Sequence, residues 1–229
     1  MTMLPVVILA GGLATRLRPL TENIPKALVE INGEPFLAHQ LRLLRAAGIE
    51  RVVLCTGYLG EKIRAWLGSG GAFDLRVDYS RDWPVLRGTA GAIRKALHLA
   101  GPRFFVLYGD SYLPCDYAQV QQAFEAFGKP ALMTIHANEG RWDVSNVEFT
   151  GGRLLAYDKK NRTPRMRHID YGLGVFAAEA FDDPVSDLAL LYRHLLERDE
   201  LAAFEAPQRF YEIGSFQGIE ELSEYLKRP

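Results

Sequence analysis

The strongest constraint on the fold lies near the start of the chain. Val6-Val7-Ile8-Leu9 is an unbroken β-branched and aliphatic run, and it opens into Ala10-Gly11-Gly12-Leu13-Ala14-Thr15-Arg16-Leu17-Arg18-Pro19-Leu20-Thr21, closed by Pro25-Lys26-Ala27-Leu28. Such a run suits a strand covered on both faces, as inside a parallel sheet flanked by helices. Runs of the same kind recur at Arg51 to Cys55, Phe104 to Tyr108 and Ala131 to Ile135, while Leu75 to Tyr79 alternates like a strand nearer an edge. Between them Pro35 suits a first helical turn, Leu37, Leu41 and Leu44 recur at helical spacing, and Gly48 supplies a stop. Thr89 is placed to cap a second helix that turns Ala92, Ala96, Leu97 and Leu99 inward, and Tyr117 to Phe127 makes a third. Strands alternating with helices of this length predict βαβ units and an α/β, Rossmann-like, mostly parallel sheet flanked by helices.

After about Asn138 the pattern changes to short, glycine-punctuated strands, Asn146 to Phe149 and Arg153 to Tyr157 around Gly151-Gly152. This predicts a small antiparallel C-terminal layer. A strand at Leu173 to Phe176, a helix from Asp187 to Arg198, a short strand around Ala202 to Glu205 and a terminal helix from Phe216 to Leu226 complete the chain. No Ser/Gly linker or repeat divides it, so residues 1–229 are expected to form one domain with halves at about 1–137 and 138–229.

In open α/β sheets, ligands sit outside the carboxyl ends of the strands, where the first loop lies. Gly11 and Gly12 permit backbone conformations and a close approach that let N–H groups face a polyphosphate, with Leu9, Ala10 and Thr15 around them. Arg16 adds a forked, permanent charge and Lys26 a compact one. The spacing fits neither GxxxxGK[ST] nor GxGxxG, and the second strand ends Leu54-Cys55-Thr56-Gly57 without an acid. P-loop and dinucleotide readings therefore fail.

A net charge of -1 argues against broad nucleic-acid binding, which needs a basic face. The two cysteines, Cys55 and Cys115, have no zinc-ligand or CxxC spacing and fit inert thiols in a reducing compartment. Met1 to Pro5 has no leader-like pattern, and no apolar run nears the ~20 residues that span a bilayer. The cytoplasm is the expected location, without a membrane partner. Nothing in the sequence fixes an oligomeric state.

The opening motif resembles GGxGTRLxPLTxxxPKxL of the sugar-1-phosphate nucleotidyltransferases, with Ala14 in place of the last loop glycine. The resemblance runs over nearly the whole chain and is to a short, single-domain member. Leu86-Arg87-Gly88-Thr89-Ala90 is similar to the family's GTAxA turn, which implies base recognition at Gly88 and Thr89. Asp82-Trp83-Pro84-Val85 lacks the glutamine that some uridine- and thymidine-using relatives place near the base, so base choice stays open. Tyr108-Gly109-Asp110-Ser111 is similar to the GD motif, and Tyr211-Glu212-Ile213-Gly214-Ser215 to WxDxGT. Together these imply Mg²⁺ held by Asp110 and Glu212, the latter one methylene longer than the family's aspartate.

Tyr157-Asp158-Lys159-Lys160 resembles the family's Glu-Lys pair, which implies that Asp158 and Lys159 hold sugar and phosphate. His168-Ile169-Asp170-Tyr171-Gly172 stands where relatives often have Asn-Ala-Gly, suggesting that Asp170 accepts from sugar hydroxyls, with Asn146 nearby. Trp142-Asp143 and Asn146 replace the family's common Arg-Tyr-Gly stretch, so the sugar pocket departs most. The resemblance implies nucleotidyl transfer from a nucleoside triphosphate to a sugar 1-phosphate, leaning to hexose or heptose, with Arg16 and Lys26 as catalytic cations. Two alternatives remain: transfer to a non-sugar phosphomonoester such as phosphocholine, for which Tyr112, Trp142 and Tyr171 could form an aromatic cage, and a non-catalytic nucleotide-sugar-binding regulator.

Overall fold

The computed structural model describes residues 2–228; Met1 and Pro229, the ends of the expected domain, lie outside the described residues. β1 (Val6–Ala10) leads through 3₁₀ turns at Thr15–Leu17 and Lys26–Leu28 to a small hairpin of β2 (Glu30–Ile31) and β3 (Glu34–Pro35). There follow α1 (Phe36–Ala46), β4 (Arg51–Thr56), α2 (Gly60–Leu67), β5 (Arg76–Arg81), α3 (Gly88–Ala100) and β6 (Arg103–Tyr108). Next come β7 (Ser111–Tyr112), α4 (Tyr117–Phe127), β8 (Ala131–His136), β9 (Val147–Thr150), β10 (Arg153–Tyr157) and β11 (Ile169–Ala177). The chain closes with α5 (Leu188–Glu197), β12 (Leu201–Glu205), β13 (Tyr211–Glu212) and α6 (Phe216–Leu226).

Seven strands form one sheet in the order β12-β8-β11-β6-β1-β4-β5. Only β11 runs antiparallel to its neighbours β6 and β8; the other pairs are parallel, and β5 lies at the edge as its alternation predicts. The two-faced burial of β1 explains its unbroken apolar run. Val6 and Ile8 enter one core with Leu37 and Leu41 of α1 and Val120 and Phe124 of α4. Val7 enters the other, with Ile93 and Ala96 of α3 and Leu191 and Leu195 of α5. Each such side chain contributes about 1.5–3 kcal/mol on burial, so a polar residue at Val6, Val7 or Ile8 would be costly.

Asp116, Asp187 and Ser215 cap α4, α5 and α6 by accepting backbone N–H bonds. The start of α3 differs from expectation. Thr89 makes no cap; its Oγ1 accepts from Leu188 N at 2.7 Å, while Ala90 N and Gly91 N donate to Ser186 O at 2.8 and 3.3 Å. A loop from the second half therefore satisfies the orphan donors that a cap would otherwise serve. Arg94 strengthens this staple by donating to Phe181 O at 2.9 Å and Val185 O at 2.8 Å, and also to Asp183 O.

β9 and β10 pair antiparallel with a register shift between Leu154 and Ala156, as the glycine-punctuated stretch predicts. A further two-strand pairing, β7 with β13, aligns Ser111 with Glu212, and Ile213 N donates to Asp110 O at 2.9 Å. This joins the loop after β6 to the segment before α6. Among the described residues no helix is long and apolar enough to cross a membrane.

Candidate active site

A cleft of about 260 Å³ opens where β1, β4 and β6 end, lined by Leu9, Ala10, Gly11, Gly12, Lys26, Gly88, Thr89 and Asp110 among others. Most of the expected nucleotide-binding residues thus meet in one place. Gly12 is exposed, and a Cβ there would meet nothing within 4 Å, which leaves open space for a phosphate beside the backbone. The left-handed backbone, however, falls on neither glycine. It falls on Ala14, at φ 50 and ψ 38, where Thr21 Oγ1 donates to Ala14 O at 2.7 Å. An alanine pays about 1–2 kcal/mol for that conformation, which the Thr21 bond helps to hold.

Thr15 and Arg16 are exposed on the 3₁₀ turn that follows and do not line the cleft floor. Arg16 instead extends toward Glu212: a Cβ on Gly214 would stand 3.4 Å from its Nη2 and 3.6 Å from Glu212 Oε1. Lys26 Nζ lies 2.9 Å from Asp110 Oδ2, a charge-assisted contact. Gly109 makes this possible, since a Cβ there would stand 2.3 Å from Leu9 O and push the end of β6 off β1.

Asp110 and Glu212 both line a second cleft, of about 170 Å³, adjoining the first. Burial raises the Glu212 carboxyl above its ordinary value, and the negative charges of Asp110 and Asp143 raise it further, against the pull of Arg16 and Lys26. Among the described residues no group of three His, Cys, Asp or Glu side chains forms a closed cage. Mg²⁺ requires no such cage, because it takes one or two carboxylates and fills its octahedron with phosphate oxygens and water. Two hard oxygen donors under mutual repulsion fit that ion. With Glu212 needed as a carboxylate, the acid limb of kcat should lie above the usual glutamate range and move to lower pH as Mg²⁺ is raised. A limb that ignores Mg²⁺ in wild type, or persists unchanged in Glu212→Gln, would dissociate it from Glu212.

The second cleft is also lined by Asn146, Lys159 and Asp170, and by Asp143, Arg162 and Tyr171. Two expected sugar contacts depart from their anticipated roles. Asp158 does not line the cleft; its carboxylate accepts from Lys160 N at 2.7 Å and Asn161 N at 2.9 Å, bonds that lower its pKa and shape the turn carrying Lys159. The shorter aspartate serves its own backbone, as Asx turns do. Asp170 turns inward, its side chain 2% exposed, toward Tyr108, Tyr157 and Lys159. Asn146 Oδ1 accepts from Asp170 N at 2.9 Å and so braces the strand.

The aromatic cage does not assemble. Tyr112 packs edge-on to Tyr225, Trp142 lies under the Arg209 guanidinium at 3.5 Å, and only Tyr171 of the three lines the cleft. Cys55 lines the first cleft from a buried position that pushes its thiol up to about 12, so it stays neutral, as expected of an inert cysteine. Asp82, in the stretch that lacks the glutamine of some relatives, is buried on the cleft wall. It accepts from Arg87 N and Arg87 Nη1, each at 2.8 Å.

Residues 5–198 match the nucleotidyl transferase family, and the chain belongs to that family. Glu212 lies beyond the matched residues. N-acetylmuramate alpha-1-phosphate uridylyltransferase of Neisseria meningitidis serogroup B is 28% identical over 226 residues, covering 94% of this chain and 95% of that protein. The mannose-1-phosphate guanylyltransferase of Mycobacterium tuberculosis is 33% identical over 178 residues, 77% of this chain; the match spans 49% of that relative's length. HddC from Yersinia pseudotuberculosis, solved in complex with GMP-PN, superposes with a TM-score of 0.81 at 25% identity, covering 98% of this chain and all of that one.

Proposed function

We propose that the protein catalyses Mg²⁺-dependent transfer of a nucleotidyl group from a nucleoside triphosphate to a hexose or heptose 1-phosphate, giving an NDP-sugar and pyrophosphate. The observation that carries this is the pair of adjoining clefts, one with the glycine loop and Lys26, the other with Lys159, meeting at Asp110. Relatives named for sugar 1-phosphates support the acceptor class. The halves, about 1–137 and 138–229, then serve the nucleotide and the sugar phosphate, in a cytoplasmic setting that suits two free, buried thiols.

No protein nucleophile is needed, because a phosphate monoester is already an anion near neutral pH. The barrier lies in bringing two anions together in line and stabilising the charge that builds on the transferred group. The backbone at Gly11 and Gly12 and the Arg16 guanidinium hold the departing pyrophosphate. Lys26 offsets charge near the α-phosphate, Lys159 positions the sugar phosphate, and Gly88 with Thr89 abuts the base. Asp110 and Glu212 would hold Mg²⁺, which supplies Lewis-acid charge neutralisation at the phosphates.

The test is pyrophosphate release from five nucleoside triphosphates, each against a sugar 1-phosphate library and phosphocholine, with and without EDTA. Release with one sugar 1-phosphate, abolished by EDTA, is expected. Release with phosphocholine alone, or tight nucleotide-sugar binding without any turnover, would overturn it.

A further inference from the structure

Besides Asp110, the two clefts share Tyr108, the last residue of β6. Its hydroxyl donates to Asp170 Oδ2 at 3.2 Å, and so does the hydroxyl of Tyr157, also at 3.2 Å. Gly172 N donates to Asp170 Oδ1 at 3.0 Å. A carboxylate whose side chain is only 2% exposed is costly unless its lone pairs are met, and these donors meet them while fixing its orientation.

The fourth partner of Asp170 is Lys159, whose Nζ lies 3.4 Å from Asp170 Oδ2 and donates to the Tyr108 oxygen at 3.4 Å. The same ammonium stands 4.9 Å from the centroid of the Tyr108 ring. Its side chain remains 42% exposed. The cation is therefore anchored from below by an anion, a hydroxyl and a π face, and is open above to the cleft. A lysine on an exposed turn otherwise samples many rotamers and loses that freedom each time it binds a phosphate.

We propose that Tyr108, acting with Asp170 and Tyr157, is a positioning residue that holds Lys159 ready for the sugar phosphate, so that one side chain forms the wall between both substrates. Tyr108 lines both clefts, and its hydroxyl meets Asp170 and Lys159 on the sugar side. This rests on the assignment of Lys159 to the sugar phosphate.

The experiment is a double-mutant cycle between Tyr108→Phe and Lys159→Ala, using the sugar 1-phosphate that releases most pyrophosphate in the panel above. Tyr108→Phe keeps the ring and removes only the hydroxyl. It is expected to raise KM for the sugar phosphate about tenfold, leave KM for the triphosphate unchanged, lower the melting temperature modestly because the buried Asp170 loses a donor, and have no further effect on KM in the Lys159→Ala background. An equal effect with and without Lys159, or a parallel rise in triphosphate KM, would overturn the assignment. Should Tyr108→Phe prove unstable, Tyr157→Phe removes the second hydroxyl on Asp170 away from the nucleotide cleft and must give the same pattern. If no sugar 1-phosphate is turned over, the assignment to a sugar substrate fails. The cycle then runs on inorganic phosphate affinity, where non-additivity still supports anchoring of Lys159 and additivity refutes it.

Discussion

Asp110→Ala is expected to lower kcat for pyrophosphate release by about a hundred- to a thousandfold at saturating Mg²⁺, with the fold retained. Asp110 stands at the mouth of both clefts and is fixed from three directions. Gly109 lets β6 run close against Leu9, Ile213 N donates to the Asp110 carbonyl, and Lys26 Nζ meets its carboxylate at 2.9 Å. Such a group is preorganised, so its charge is in place before the reacting phosphates arrive. Lys26→Ala belongs in the same range, because it removes the cation proposed to offset charge at the α-phosphate and leaves Asp110 without its ion-pair partner. Asp110→Asn separates the two contributions: it preserves shape and a polar contact to Lys26 but removes the charge. Near wild-type turnover of purified Asp110→Ala with saturating Mg²⁺ would take Asp110 out of the metal assignment, and a collapsed melting temperature would instead identify a structural role.

Elements in both halves are legible where local rules suffice. β1 declares itself by an apolar run that only a strand between two cores can bury, and α4 and α6 begin and end where caps and spacing place them. α2 and the β2/β3 hairpin were not anticipated, because two-residue strands and an eight-residue helix carry too few periods to stand out. The glycine loop, Lys26 and Asp110 converge as their positions at strand ends imply. The family resemblance implies ligand roles for Thr89 and Asp170, and the structure turns their polar atoms to Leu188, Tyr108 and Tyr157. Such contacts join residues 62 and 99 positions apart, for which no local pattern exists. The one available signal was Tyr108 itself, an aromatic residue immediately before the Gly-Asp pair at a strand's carboxyl end. Asp82 and Asp143 likewise enter the clefts through loop paths that no spacing encodes.

Gly88→Ala is expected to cost substantial stability and to perturb one substrate site but not the other. Gly88 has φ +76, where an alanine is strained by about 1–2 kcal/mol. A Cβ there would also stand 2.5 Å from Ser186 O and 3.1 Å from Ser186 C, both backbone atoms. Ser186 O cannot simply retreat, since it accepts from Ala90 N and Gly91 N and its neighbour Leu188 donates to Thr89. Displacing it forfeits bonds worth about 0.5–1.5 kcal/mol each, and the staple made by Arg94 resists the shift. A total loss of about 3 kcal/mol corresponds to a fall in melting temperature of roughly 6–12 °C for a domain of this size. Gly71→Ala is the control, because a Cβ there meets nothing within 4 Å and its φ is ordinary. The same displacement moves the turn that lines the first cleft and is proposed to abut the base, so triphosphate KM should rise in Gly88→Ala while sugar-phosphate KM holds. A variant as stable as Gly71→Ala with an unchanged triphosphate KM would show that the loop before α5 yields freely, and that the second half does not set the geometry of the base turn.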